Sequence, residues 1–410
     1  MTGPATPIRG DTAPGFEPVR DAFAANFRSG DLGAACCVYR DGRPVVDLWA
    51  GRAEPGGDRA WEADTPVVVF SSTKGATAIC IHRLAERGEL DLEAPVAEYW
   101  PAFAAAGKAA IPVSAVLAHR AAVPVVDAAV SLDDVVGWHG VAAAVAAQRP
   151  VWPPGSAHGY HARTFGWILG ELIRRITGNP VGAFFATEVA DPLGLDFWIG
   201  LPADVEPRLA ELVPPRLPTG PLAVAHAAAR IPGLMPAGRL LTGHLPAPWL
   251  RTVAAALDPD SLLTRVMTGP SALFNYDQRW NTRPYHAAEL PSSNGVASAR
   301  AMARMYAATV GEVDGVRLLR PETVAAATVV RSDGTDLVTL QPSRFGAGFA
   351  LPPMIGAAAP PGAFGHPGAG GSLGFADPVH HLGFGYAMNR MRLGRDGRAE
   401  GLVRAVYSCL

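Results

Sequence analysis

The chain is short of charge. Of its 410 residues only 18% are Asp, Glu, Lys or Arg, against about 25% in an average globular protein. The 35 basic and 37 acidic side chains leave a formal net charge of -2, with no long run of either sign. A nucleic-acid binder needs a concentrated basic face, and none is encoded here. Long apolar runs are also missing: nothing approaches the roughly 18 consecutive apolar residues of a membrane span. The N-terminal stretch MTGPATPIRGDTAPGFEPVRDAF has no apolar segment behind a basic start, which argues against a secretory signal and for a cytoplasmic protein. Cysteine is scarce. Cys36, Cys37, Cys80 and Cys409 show no metal-ligand spacing, and a disulfide framework is not expected without an oxidising compartment. They read as small buried apolar side chains, with adjacent Cys36 and Cys37 on opposite faces of a strand. No H-E-x-x-H occurs, and the pairs His158/His161 and His380/His381 lack a neighbouring cysteine or carboxylate to complete a zinc set. No metal or cofactor is expected, and internal repeats are absent.

What is present is apolar: 49% of the residues. That suits a well-buried body, and 410 residues exceed what one simple core supports, so two packed subdomains are expected. Residues 16–29 place Val19, Phe23, Ala24 and Phe27 on one helical face. Two apolar runs then flank Asp41-Gly42, a strong hairpin signal. A third run, 66–70, leads into FSSTKGATAIC, from which a helix runs to about Arg87, with Gly88 as its stop. The middle reads as helices, among them 114–119, 133–147 and 163–177, and Pro-rich loops, with long ordered loops expected over 201–250. After Ser298 come a helix, strand-like segments near 345–351, 364–377 and 382–389, and a closing amphipathic helix. The fold class is therefore α/β (α+β): one antiparallel sheet built from both termini and flanked by helices, with a large helical insertion. Residues 1–85 and 295–410 form the sheet subdomain and 86–294 the helical one, with the active site expected in the cleft between them.

Ser71 and Lys74 are one helical turn apart and share a face. The first-turn amides and dipole of a helix favour negative charge, which helps a serine that must become an alkoxide. Serine alone is a poor nucleophile and needs a base. A desolvated lysine can serve, because burial disfavours its charged form. Most S-x-x-K matches are only an N-cap serine and a solvated lysine. Two further elements change the weighting: Tyr160, between a Gly/Pro-rich loop and a helix in GYHARTFGW, and His366-Pro367-Gly368 in GHPGAGGSLGFADP.

At these residues the sequence resembles the serine β-lactamase and penicillin-binding-protein superfamily. Within it, the likeness is to the class C β-lactamase-like group that contains the family VIII carboxylesterases, and it runs through most of the chain. The resemblance implies a β-lactamase/transpeptidase-like fold, Ser71 as the acylated nucleophile, Lys74 as its partner and Tyr160 as the proton shuttle. His366, Pro367 and Gly368 take the place of the Lys-Thr-Gly triplet, and the backbone N–H groups of Ser71 and Ala369 would form the oxyanion hole. Gly368, Gly370 and Gly371 leave that strand bare where a substrate could approach closely. Two departures stand out. Tyr160-His161-Ala162 lacks the asparagine of the family's Tyr-x-Asn, and His366 replaces the lysine that pairs with a β-lactam carboxylate. Both argue for an uncharged ester or thioester over a β-lactam. His161, beside Tyr160, is a candidate pocket residue along with His366 and Gly368.

Gly370-Gly371-Ser372-Leu373-Gly374 matches the G-x-S-x-G elbow, but the residues after Ser372 read as strand and turn, not the required helix. Ser372 reads as a strand residue and a decoy. His119-Arg120 reads as structural. Phe274, Tyr276, Trp280 and Tyr285 wall an acyl pocket or cover the helical subdomain. The expected activity is a carboxylesterase working through a Ser71 acyl-enzyme on a small-molecule ester or thioester. A transacylase with an amine or alcohol acceptor is the alternative, a β-lactamase or a silent scaffold comes after it, and no nucleic-acid or membrane partner is expected.

Overall fold

The computed structural model describes residues 6–215, 251–252, 255–256, 258–392 and 396–410; most of the loop segment expected over 201–250 lies outside these. In chain order the strands are β1 (Ile8–Thr12), β2 (Gly33–Arg40), β3 (Arg43–Gly51), β4 (Val67–Val68), β5 (Phe197–Trp198), β6 (Val296–Ala297), β7 (Ser332–Thr335), β8 (Pro342–Phe345), β9 (Phe364–Pro367), β10 (Leu373–Asp377) and β11 (Leu382–Met388). One six-stranded antiparallel sheet has the order β1-β3-β2-β11-β10-β9. Both ends of the chain therefore supply one sheet, as the distribution of strand signals predicts.

The β2–β3 turn is the expected Asp41-Gly42, with φ of +50° and +75° and Arg40 facing Arg43. Two left-handed residues in a two-residue loop match the twist of the flanking strands. β2 and β11 are buried on both faces. Cys36 joins the cluster under helix α1 (Glu17–Arg28) and the C-terminal helix Gly397–Tyr407, packing with Val19, Phe23, Val38 and Leu402. Cys37 faces the opposite cluster, with Ala35 and Tyr39. The helix Ala299–Val310 lies directly on β11: a Cβ at Gly385 would stand 2.1 Å from Ala299 O and one at Gly383 2.2 Å from Ala303 O. Only glycine admits so close a helix.

Helix α2 (Thr73–Glu86) starts from a 3₁₀ turn, Phe70–Ser72, and ends before Gly88, which is left-handed (φ +72°) as a C-terminal stop requires. β4 pairs with β6 and β6 with β5, so the segment entering Ser71 is tied to chain more than 200 residues away. Three expectations on length need correcting. The helix expected over 133–147 is two, Leu132–Val136 and His139–Ala147, broken at Trp138 (φ +66°), whose buried indole donates to Glu171 Oε2 at 2.5 Å. The strand expected near 345–351 ends at Phe345, and that over 364–377 is interrupted by a turn at 368–372, so Ser372 precedes β10 and is not itself in a strand. No helix among the described residues is long and apolar enough to cross a membrane.

Candidate active site

The chain enters Ser71 through a strained residue. Phe70 has φ +46°, and its ring is gripped edge-on by Tyr276 at 5.5 Å and Trp280 at 4.9 Å. Such backbone persists only where packing enforces it. The aromatic loop 274–285 thus has a definite task, with Phe274 and Tyr285 also packed on Trp280. The helix start is pinned as well: Gly295 N–H donates to Thr73 Oγ1 at 2.9 Å, and Val69 N–H donates to Gly295 O at 2.9 Å.

Helix α2 is buried on every side over its first ten residues, so Lys74 is 0% exposed. Its Nζ donates to Ala162 O at 2.9 Å and Ser292 O at 3.0 Å and lies 3.3 Å from Ser71 Oγ. No carboxylate pairs with it among the described residues. Burial pushes its pKa well below the ordinary lysine value, and the neighbouring Arg163 guanidinium pushes the same way. Arg163 itself is buried without a carboxylate partner among the described residues, stacked on Phe274 and Trp280 and donating to Ser293 Oγ at 2.7 Å.

Lys74 Nζ sits over the Tyr160 ring, 4.8 Å from its centroid. The Tyr160 phenol is raised by burial, with its hydrogen bond to Ser71 acting in the opposite sense. Ser71, Lys74 and Tyr160, drawn from two distant segments, therefore converge on one point. His119, read from the sequence as structural, backs this group: it packs 4.9 Å from Tyr160 and 4.5 Å from Phe345, and its Nδ1 accepts from His161 N–H at 3.1 Å.

His161 does not join them. It is 0% exposed, its Nδ1 donates to Gly159 O at 2.7 Å and its Nε2 accepts from Val123 N–H at 3.0 Å. With both nitrogens used and its pKa lowered to about 4 by burial, it has nothing to offer a ligand. The expectation that it lines the pocket is corrected: it fixes the loop that carries Tyr160. Ala162, in the position of the family asparagine, contributes its carbonyl to Lys74 instead.

On the other wall, β9 brings His366 to 6.0 Å from Tyr160, ring to ring. Its Nδ1 donates to Pro367 O at 2.7 Å, which leaves Nε2 as an acceptor without a partner among the described residues. Burial, reinforced by Lys74, lowers its pKa to about 3, so the ring is neutral. A Cβ at Gly368 would lie 2.1 Å from Ser372 Oγ and 2.2 Å from Val69 O; the strand touches the Ser71 segment because it is bare. Ser72 Oγ donates to His366 O at 3.1 Å and pairs with Ser372 Oγ at 3.2 Å, while Ser372 Oγ donates to Val69 O at 2.8 Å. Both serines are stitches between walls. His380 is held locally, its Nδ1 at 2.6 Å from Asp377 Oδ2, and no elbow is formed. A cavity of about 350 Å³ opens beside this strand, lined by the apolar Met267, Tyr276 and Met354 and by the charged Arg392, Asp396 and Glu400. No cluster of metal-ligating side chains occurs among the described residues.

The Beta-lactamase family model matches residues 21–407. The chain belongs to the Beta-lactamase family. It is 39% identical over 396 residues to the esterase/beta-lactamase LipL of Mycobacterium tuberculosis, covering 94% of this chain and 83% of that one. A family VIII carboxylesterase crystal structure shares 36% identity and a TM-score of 0.82, over 98% of this chain and 100% of that chain. A penicillin-binding-protein homologue from Caulobacter crescentus shares 33% and 0.81, over 99% and 100%. The protein is a serine hydrolase of the β-lactamase superfamily with the β-lactamase/transpeptidase-like fold, as the three motifs imply.

Proposed function

We propose that the protein is a carboxylesterase in which Ser71 is acylated. Lys74, neutral in its buried site, accepts the Ser71 hydroxyl proton as Oγ bonds to the ester carbonyl carbon. The backbone N–H groups of Ser71 and Ala369 hold the resulting oxyanion; one such donor contributes roughly 10²–10³ in rate. Tyr160, hydrogen-bonded to Ser71, passes the proton to the leaving alcohol as the ester C–O bond breaks. Water, deprotonated by the same Lys74–Tyr160 pair, then attacks the acyl carbon; the acyl C–Oγ bond breaks and the proton returns to Ser71 Oγ, which releases the acid and the free enzyme. The observation that carries this reading is the buried Lys74 amine, without a carboxylate partner among the described residues, 3.3 Å from Ser71 Oγ. The neutral His366 supports an uncharged acyl group over a β-lactam carboxylate. The same acyl-enzyme would serve a transacylase if an amine or alcohol displaced the water.

The test is turnover of p-nitrophenyl acetate and butyrate, with and without an added amine, beside Ser71→Ala. Ester hydrolysis lost in the variant is expected; retained turnover removes Ser71 from the mechanism. Amide formation outpacing hydrolysis would reassign the enzyme as a transacylase, and nitrocefin in the same series measures β-lactam hydrolysis, expected to be weak.

A further inference from the structure

The turn that carries Ala369 has one polar side chain of its own, Ser372 at its end, which ties it to Val69 O. Gly370 and Gly371 are left-handed, with φ of +87° and +124°. Within the turn, Gly371 N–H donates to Gly368 O at 3.2 Å and Gly368 N–H to Ser372 O at 2.7 Å. Outside it, one carbonyl is gripped from below. Gly370 O accepts from Arg392 N–H at 3.2 Å and from the Arg398 guanidinium at 2.6 Å.

Arg398 stands in the first turn of the C-terminal helix and is only 2% exposed. Its Nε donates to Asp396 at 2.9 Å and its Nη2 at 2.5 Å, a two-pronged clamp from the helix N-cap. Its Nη1 pairs with Asp31 and donates to Arg390 O at 3.0 Å. The other Asp31 oxygen accepts from the Tyr386 hydroxyl of β11 at 2.7 Å. One planar fork thus joins the loop before β2, the end of β11, the last helix and the glycine turn. A Cβ at Gly371 would fall 2.4 Å from Asp396 and 2.7 Å from Arg398, so the turn is built against this group. A buried guanidinium with two carboxylates is an expensive way to hold a fold together, since apolar side chains of equal volume often do as well. What apolar packing cannot do is aim a carbonyl.

We propose that Arg398 is a positioning residue for acyl transfer: by fixing Gly370 O it sets the direction of the Ala369 N–H on the cleft wall. The inference rests on the reading that Ala369 is an oxyanion donor. Such a donor works only within about 0.5 Å of its productive place, and a misplacement of 1 Å can cost about 10²-fold in rate. Arg398→Lys keeps the positive charge and loses the fork, so the bond to Gly370 goes while Gly370 O keeps Arg392 N–H.

The experiment counts active sites by the p-nitrophenol burst and divides turnover by that count. Arg398→Lys is expected to lower kcat per site by about tenfold or more with KM within about threefold. Asp31→Asn weakens the same buried network without touching the turn, and its kcat per site should stay within about twofold of wild type. Asp396→Asn keeps Arg398 and the helix cap but loosens the clamp; it should fall between them, and supplies the answer if Arg398→Lys does not fold. Unchanged kcat per site in Arg398→Lys and Asp396→Asn, or an equal drop in Asp31→Asn, overturns the proposal in favour of a purely structural network. Ser71→Ala runs alongside: a burst that survives it sinks the Ser71 reading itself, whereas a Ser71-dependent burst with indifferent Arg398 variants sinks only this inference.

Discussion

The sequence contains two lysines, Lys74 and Lys108, and both are fully buried. Lys108 gives its three hydrogens to three main-chain carbonyls: Ala105 O at 2.7 Å, Ala146 O at 2.8 Å and Gln148 O at 2.6 Å. Two of these lie at the C-terminal end of the helix His139–Ala147, where a cation is favoured by the helix dipole. Burial lowers its pKa to about 8, and it works as a cap. Lys74 has two carbonyls and, as its third neighbour, a hydroxyl. It also faces a cation, Arg163, where Lys108 has none beside it among the described residues. Burial alone therefore does not mark a reactive lysine. The distinguishing feature is a third partner that can itself give up a proton.

Exchanging the two lysines in turn should give the largest contrast. Lys74→Met is expected to lower kcat/KM for p-nitrophenyl butyrate by at least about 10³-fold, and Lys74→Arg equally, because arginine stays protonated. Lys108→Met should leave kcat per burst-titrated site within about twofold while lowering unfolding stability by about 2 kcal/mol, measured in urea, through its orphaned carbonyls. If Lys108→Met lost activity per site as well, the contrast would collapse. Tyr160→Phe, which keeps the ring under Lys74 and removes the hydroxyl, should cost about 10²-fold in kcat.

The comparison also fixes a sign in pH. A base works only when unprotonated, so acylation should fall as pH drops through the depressed Lys74 pKa and plateau above it, well short of the ordinary lysine range. Arg163→Met removes a neighbouring cation, makes protonation easier, and should move that limb to higher pH; a limb that stays or moves down would exclude the electrostatic role of Arg163. Burial, the larger cause, remains in the variant, so the limb should still lie below the ordinary lysine value. The smallest effect is expected from Ser372→Ala, within about threefold in kcat and about 1 kcal/mol in stability for one lost stitch between walls.

Much of this was legible in the residues. S-x-x-K set one turn apart, the Asp41-Gly42 hairpin and the helix before Gly178 are local patterns, and local patterns survive folding. The helix Thr164–Thr177 indeed ends at Gly178, left-handed at φ +73°. What stayed hidden was non-local. The partners that keep Lys74 in place are carbonyls of Ala162 and Ser292, and a main-chain acceptor carries no residue-type signal. His161 looked like a pocket residue because it adjoins Tyr160; its inward turn is set by Val123 N–H, 38 residues earlier. Trp138 breaks a helix that its neighbours would continue, since its indole is claimed by Glu171. The role of Arg398 was invisible for the same reason, its target being a glycine carbonyl on another element.

The central claim is tested most directly by trapping the intermediate. The enzyme is mixed with p-nitrophenyl butyrate, quenched in acid within the burst, digested, and mapped by mass spectrometry. The account predicts one butyryl group on the peptide that contains Ser71, formed in step with p-nitrophenol release and absent from Ser71→Ala. A butyryl group on any other residue, or a Ser71→Ala enzyme that still releases p-nitrophenol at the wild-type rate, would contradict it.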